Sequence, residues 1–406
     1  MGRSSILLKG ESALLLDYGI KLNNRIEYPI AVPNADAFIL SHAHLDHSGF
    51  APALYNEMLI PAFGTEPTLK LSELLLDDSL KIAKKEHMTQ RFHKRQIESF
   101  KHRYTSIEYG TAFEFGEFSV EFFDAGHISG SAITAIEARG SKDSKRIVYT
   151  GDFKLNPQYL HKGAAVVKSD VLITESTYAT REHPDREELY KNLAEGIKKT
   201  LDNNGTALLP VFAVGRAQEV LTFLYKNNLV QHTYLDGMAR AATSIVLKHP
   251  EFINNYDILA KALGKATVIK DRDDREDALS SPSILLTTAG MLNGGPVLDY
   301  ITKLRPNSNI FLTGYQVEGT NGRLLMDTGT IRLGKKLTKI ETPVSYYDLS
   351  AHAGMGELHE YIKRSGPGKV VCVHGDKNNA VALAESLKLE GYEAHAPKIG
   401  DVIKLD

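Results

Sequence analysis

A single cysteine, Cys372, among 406 residues excludes both a disulfide framework and a thiolate metal cage, and makes a reducing cytosol the natural compartment. Any metal must then be held by histidine and carboxylate. Charge of one sign is lacking too: 48 Lys+Arg against 50 Asp+Glu leave a formal net charge of −2. That argues against a generally basic nucleic-acid coat, while a local basic cleft stays compatible with it. No apolar run approaches a membrane-spanning length, and the first residues, MGRSSILLKGESALLLDYG, carry neither a long apolar core nor a small-residue cleavage site. The chain reads as soluble and cytoplasmic. There is no internal repeat and no low-complexity linker. What is present, 42% hydrophobic and 24% charged residues, suits an ordinary protein of two or three domains with a sizeable core.

The first half is rich in strand signals. SSILLKG, ALLLDYG, AFILSH, AFEFGEFSVEFFDAG, SAITAIEARG and KRIVYTGD are short apolar or alternating runs punctuated by glycine. Between them residues 65–103 read as helical and end in the basic run KIAKKEHMTQRFHKRQIESFKHR. That run can lie along RNA, but a solvated helix face is the simpler reading. After the buried strand DVLITES, helix and strand alternate. PDREELYKNLAEGIKKTLDNNG, TALLPVF and GRAQEVLTFLYKNN, followed by SILLTTAG and NIFLTGY, predict an open, largely parallel sheet. Residues 346–406 return to strand–helix–strand units centred on KVVCVHGD.

At ILSHAHLDHSGF, residues 39–50, three histidines and an aspartate fall within six positions directly after an apolar run. A core strand does not accommodate this, because each buried imidazole or carboxylate needs a partner that its neighbours do not supply. A tight turn at the strand end converges the four side chains, which is metal-ligand logic. FFDAGHISGS places His127, and VYTGDF places Asp152, each likewise after a strand. Together these residues offer His42, His44 and His127 to one metal, Asp46 and His47 to a second, and Asp152 as the bridge. Two metals ~3.5–4 Å apart can activate water at neutral pH and stabilise attacking and leaving oxygens. Asp17, in LLLDYG, is either a carboxylate orienting a ligand histidine or a turn residue before Gly19.

This ordered set resembles the metallo-β-lactamase superfamily, and further motifs narrow the resemblance to its β-CASP nucleases. TESTY is similar to the acidic motif of that family and supplies Glu175; LSAHAG supplies His352; VVCVHGD supplies His374. LLPVFAVGRAQE, TTAGMLNGGP and GYQVEGTNGR are similar to stretches of the cleavage and polyadenylation endonuclease subunit and its archaeal and bacterial relatives. The resemblance implies an α/β fold, an αββα sandwich with an inserted β-CASP α/β lobe. Residues 1–178 and 346–406 would form the sandwich and residues 179–345 the lobe.

The resemblance also implies roles. His374 would complete the second metal shell beside Asp46, His47 and Asp152; on spacing alone it is a buried histidine bonded to a backbone group. His352 would be the general acid that protonates the leaving oxygen, oriented and kept cationic by Glu175. Asp46, Glu175 and His352 make up the catalytic set. Arg216 is either a fork for an RNA phosphate at a helix N-terminus or one half of an interlobe ion pair. Ser350 either binds a phosphate or caps the helix that starts near Gly354. His161, His183 and His249 read as surface residues. The expected cofactors are two Zn2+ per chain, with Mn2+ as the alternative occupant.

The expected activity is hydrolysis of single-stranded RNA by a dimetal-activated hydroxide, leaving 5′-phosphate and 3′-hydroxyl ends. Endonucleolytic cutting is favoured over 5′–3′ exonucleolytic cutting of the RNase J type. The chain starts at its first strand and ends shortly after VHGD, so RNA is expected to bind mainly in the cleft between the two lobes. A homodimer and an RNA-processing complex are the partner states left open. A small-molecule metallohydrolase has no need of a lobe of such size or of the Glu175–His352 pair. A non-catalytic RNA-binding subunit would be expected to have lost ligands, yet every ligand position is filled.

Overall fold

The computed structural model describes residues 5–22, 26–30, 34–139 and 144–405. Ser4 and Gly140, which end two of the strand-like runs above, lie outside them. The chain divides into two compact units, Met1–Glu182 with His352–Asp406, and His183–Ala351. The expected boundaries at 178/179 and 345/346 fall slightly before these divisions.

The first unit contains two main sheets. One orders its strands Ile6–Lys9, Ala13–Leu16, Ala37–Ile39, Ala62–Gly64 and Tyr104–Ser106. The other runs Glu393–His395, Lys369–Val373, Val171–Glu175, Arg146–Tyr149, Ala132–Ala138, Phe118–Asp124 and Ala112–Phe115. Successive side chains of a strand face opposite ways, so each strand splits its apolar residues between two cores. Leu14, Leu16 and Ile39 share one buried cluster with Phe122, Ile136, Tyr149 and Ile173, which fills the space between the sheets. The intervening Leu15 and Phe38 turn outward to Leu54, Leu69 and Phe100 of the helical layer. On the far side Val148, Leu172, Val370 and Cys372 meet Leu358, Tyr361, Leu383 and Leu387 of the two C-terminal helices. The layers therefore run helix, sheet, sheet, helix. Cys372 is a core residue whose thiol burial pushes up to about 12.

The helical stretch expected over 65–103 is two helices, Glu66–Lys85 and Lys94–His102. Thr65 caps the first by accepting from Thr68 N, and it ends where His87 takes a left-handed φ of 53°. Part of the basic run is then matched by acids of the first helix, with Lys94 Nζ 2.7 Å from Asp77 and Lys101 Nζ 2.5 Å from Glu73. Such exposed pairs contribute ~0–1 kcal/mol each.

The second unit is built on a six-stranded sheet ordered Thr267–Val268, Thr233–Asp236, Ser283–Thr287, Thr206–Pro210, Asn309–Leu312 and Val344–Tyr346. Every pairing in it is parallel. Ser283–Thr287 and Thr206–Pro210 are buried along their whole length, as strands covered on both faces must be.

Candidate metal centre

The chemistry-bearing residues of the first unit follow the carboxyl ends of its strands. Asp17 follows Ala13–Leu16, the HAHLDH turn follows Ala37–Ile39, and His127 follows Phe118–Asp124. Asp152 and His374 follow Arg146–Tyr149 and Lys369–Val373 in the same way. Close backbone approach brings these loops together. Tyr18 N donates to His47 O at 2.8 Å and Ile20 N to Leu45 O at 2.9 Å. A Cβ on Gly19 would stand only 1.6 Å from Asp46 O, so the segment can lie along the HLDH turn only with glycine there. Gly151, at φ 55°, turns the chain so that Asp152 points back over the strand ends.

Asp152 is the centre of the arrangement. Its two oxygens face two different groups. Oδ2 lies 3.5 Å from His42 Nε2 and 4.0 Å from His127 Nε2, whose ring nitrogen is in turn 3.1 Å from His44 Nδ1. Oδ1 lies 3.3 Å from both His47 Nε2 and His374 Nε2, and His374 Nε2 is 3.6 Å from Asp46 Oδ2. Within each group, His42/His44/His127/Asp152 and Asp46/His47/Asp152/His374, the ligand-capable atoms all lie within 4.8 Å of one another. Asp152 is 1% exposed, and neither of its oxygens, nor Nε2 of His42, His47 or His374, has a hydrogen-bond partner.

The electrostatics follow from that crowding. Burial first, then the neighbouring imidazoles, drive His42 and His374 well below the ordinary histidine range. That shift favours the neutral rings, whose lone pairs can bind a cation. Burial raises the Asp152 carboxyl, against the pull of His47 and His352. His47 differs. Burial works against its charge, but Asp152 and Asp17 outweigh it and raise the ring well above its usual value.

Asp17, left above between two readings, is fully buried and accepts from His47 Nδ1 at 2.6 Å, which turns Nε2 of that ring toward Asp152. It also accepts from Ser41 N, Ser41 Oγ and Tyr149 OH, each at 2.7 Å. Glu175, also fully buried, accepts from Phe153 N at 2.8 Å through one oxygen and meets His352 Nδ1 at 2.9 Å through the other. Burial disfavours the charged His352 ring, but Glu175 and then Asp152 override it and raise the ring to about 9. Asp152, Glu175 and His352 form a third cluster of ligand-capable groups.

Four residues of this neighbourhood escaped the sequence reading. Ser41 and Tyr149 complete the cradle of Asp17. Lys154, 4% exposed, pairs with Glu357, whose carboxylate also accepts from Asn156 N at 2.9 Å and Gly354 N at 3.0 Å. Glu357 thereby ties the loop that carries Asp152 to the turn that carries His352. No local motif marks a buried lysine or a tyrosine at a strand end.

Arg216 and Ser350 belong to the second unit. Arg216 is the first residue of the helix Arg216–Lys226 and is buried. Ser350 is buried, and its carbonyl accepts from Arg186 Nη1 at 3.0 Å. The helix Met355–Ser365 is capped at Gly354 with Glu357 as acceptor, so Ser350 is not its cap. His161, read as a surface residue, is buried at 5% exposure in a loop closed by Ala164 N donating to Lys154 O at 2.8 Å. His183 is half-buried beside Asp348 at 3.4 Å, and His249 is half-buried near Glu251 at 3.8 Å.

Comparison with known proteins agrees with this architecture. A family model described as the β-CASP domain matches residues 217–325, and the Zn-dependent metallo-hydrolase RNA specificity domain matches residues 338–397. A model of the anti-Pycsar protein Apyc1 matches residues 2–202. The probable RNase MJ4 of Methanocaldococcus jannaschii is 40% identical over 420 residues, covering 100% of this chain and 97% of that protein. RNase aCSPSF2 of Saccharolobus solfataricus is 33% identical, with 100% and 83% covered. The transcription termination factor FttA of M. jannaschii is 30% identical, with 100% and 70% covered. A solved protein of unknown function from Enterococcus faecalis superposes with a TM-score of 0.59 over 98% of this chain and 96% of its own, at 16% identity, which speaks to fold alone. Shared sequence along the whole chain, together with the sandwich of sheets and its strand-end histidines, makes the protein a member of the β-CASP ribonucleases, with a metallo-β-lactamase fold and an inserted β-CASP lobe.

Proposed function

We propose that the protein is a cytoplasmic, metal-dependent endoribonuclease that cuts single-stranded RNA to 5′-phosphate and 3′-hydroxyl ends with two Zn2+ per chain. In this reading residues 1–178 and 346–406 are the metallo-β-lactamase domain and residues 179–345 the β-CASP lobe. His42, His44, His127 and Asp152 hold one ion; Asp46, His47, Asp152 and His374 hold the other. The observation that carries the reading is Asp152, a buried carboxylate with no protein donor on either oxygen, each oxygen facing its own set of imidazoles. Isolated, that charge would cost several kcal/mol. The spacing fits as well. Ligand atoms of a tetrahedral site with bonds of ~2.0–2.2 Å stand ~3.3–3.6 Å apart, near the 3.3–4.0 Å between Asp152 and its histidines.

The ions would supply an activated water and charge stabilisation at the phosphate. The protein's own groups do the rest. Asp17 holds the His47 ring with Nε2 presented to the centre, and Ser41 and Tyr149 hold Asp17. Glu175 holds His352 through Nδ1 and favours its cationic form, so that Nε2 carries the proton delivered to the departing 3′-oxygen. Arg216 and Ser350 are assigned to RNA phosphates.

The cutting mode is tested with a covalently closed single-stranded RNA circle, which has no end to enter. Linearisation and fragmentation of the circle, with 5′-phosphate product ends, are expected. Survival of the circle while 5′-monophosphorylated linear RNA is reduced to mononucleotides would replace the endonuclease with a 5′–3′ exonuclease of the RNase J type.

A further inference from the structure

The parallel sheet of the second unit ends in loops of which the proposed chemistry uses only Arg216 and Ser350, and one of them carries an anomaly. Directly after Thr206–Pro210, Val211 and Val214 are 1% and 3% exposed, while Phe212 between them is 37% exposed. A lone exposed aromatic needs no explanation by itself. Its seating does. Phe212 O accepts from Ala217 N at 3.1 Å, which fixes its backbone to the first turn of the next helix. Gly290, after Ser283–Thr287, lies so close that a Cβ there would stand 3.0 Å from Phe212 N and 3.4 Å from ring atom Cδ2. Gly314, after Asn309–Leu312, would place a Cβ 3.5 Å from ring atom Cε2.

Neither glycine has the left-handed backbone that demands glycine. What they provide is close approach: a Cβ at either position would already be in contact with the ring, and at Gly290 it would also crowd the Phe212 backbone. The two glycine loops are also tied to each other. Gln316, 3% exposed, donates from Nε2 to Gly290 O at 3.1 Å and to Gly314 O at 2.9 Å. An aromatic ring with an anchored backbone, packed against two glycine loops and 37% exposed, thus lies at the carboxyl edge of a parallel sheet, the edge where open α/β sheets bind ligands.

We propose that the Phe212 ring is a stacking platform for a nucleobase of the single-stranded RNA, an inference that rests on the ribonuclease reading above. A ring stacks on any base, because every base has a π-face, and it accepts neither phosphate nor ribose in that way. The subsite therefore binds bases with little sequence preference.

The protein has no tryptophan, so Phe212→Trp in the full chain is a single-fluorophore reporter at the subsite. A His352→Ala background keeps the RNA intact during titration. A twelve-nucleotide oligouridylate should quench the Trp emission saturably, and an abasic ribose–phosphate oligomer of the same length should not. In parallel, anisotropy of fluorescein-labelled oligouridylate should report binding weakened roughly 5- to 100-fold by Phe212→Ala and by Phe212→Leu. Leu retains apolar bulk without a π-face, so a merely structural ring would tolerate it; circular dichroism checks that both variants fold. Labelled RNA that binds the reporter without quenching it, or that binds the Leu variant as tightly as the parent, overturns the stacking platform and leaves the ribonuclease reading standing. Failure of the unsubstituted protein to bind RNA at all removes both.

Discussion

Two buried aspartates, one in each unit, are solved in opposite ways. Asp236, at the end of Thr233–Asp236 in the second unit, accepts from Gly237 N at 2.6 Å, Arg275 Nε at 2.9 Å and Tyr300 OH at 2.8 Å. Its charge is answered by protein donors. Asp152, three residues past the strand Arg146–Tyr149 of the first unit, has no hydrogen-bond partner on either oxygen and is ringed by imidazole nitrogens. Both are 4% exposed or less. Since a buried charge must be met, a satisfied carboxylate reads as structure and an unsatisfied one as a place for a cation.

The contrast is broken most directly by substituting both aspartates with asparagine. Asp152→Asn should lose metal by elemental analysis and slow cleavage by ~10³-fold or more. Asp236→Asn should keep full metal content and cost ~1–3 kcal/mol of stability in denaturant unfolding. Equal metal loss in the two would erase the distinction drawn here. Next in size is the acid. His352→Ala should slow RNA cleavage by ~10²–10⁴-fold with metal content and RNA affinity unchanged. If metal leaves with the imidazole, His352 is a ligand.

Glu175→Gln probes the same pair through pH. His352 carries its proton below its pKa, and the Glu175 charge raises that pKa, so activity as an acid extends to higher pH in the parent. Removing the charge lowers the pKa. The alkaline limb of the pH–rate profile should move to lower pH in Glu175→Gln, and an unmoved limb would detach Glu175 from the acid. The smallest effect is expected at Tyr149→Phe, which removes one of the donors to Asp17 and should weaken zinc binding by roughly 2- to 10-fold in competition with a chelator. Unchanged affinity would make that hydrogen bond a matter of core packing only.

Legibility in the sequence followed the distance over which the physics acts. HAHLDH stood out because four ligand-type side chains follow an apolar run, and AGH and GDF repeated the same strand-end pattern, whereas VHGD entered through the family resemblance. The short apolar runs at Ala13–Leu16 and Arg146–Tyr149 likewise announced strands. The break at His87 was not readable, since the apolar pattern continues on both sides of it and the left-handed turn has no glycine to mark it. His161 read as a surface residue, and its burial is a tertiary outcome with no local marker.

Local spacing and residue type, by themselves, determined the kinds of element and singled out HAHLDH, AGH and GDF as candidate ligand sets, whereas His374, Glu175 and His352 entered through the family resemblance. Hydrophobic period and ligand chemistry are written within a few residues of each other. Only the tertiary structure decided that Asp152 turns one oxygen to each set of histidines, that Tyr149 and Ser41 secure Asp17, and that Glu357 joins the Asp152 loop to the His352 turn. Several of those arrangements depend on contacts between residues more than a hundred positions apart, such as Asp17 with Tyr149 and Lys154 with Glu357, for which the chain carries no local signal.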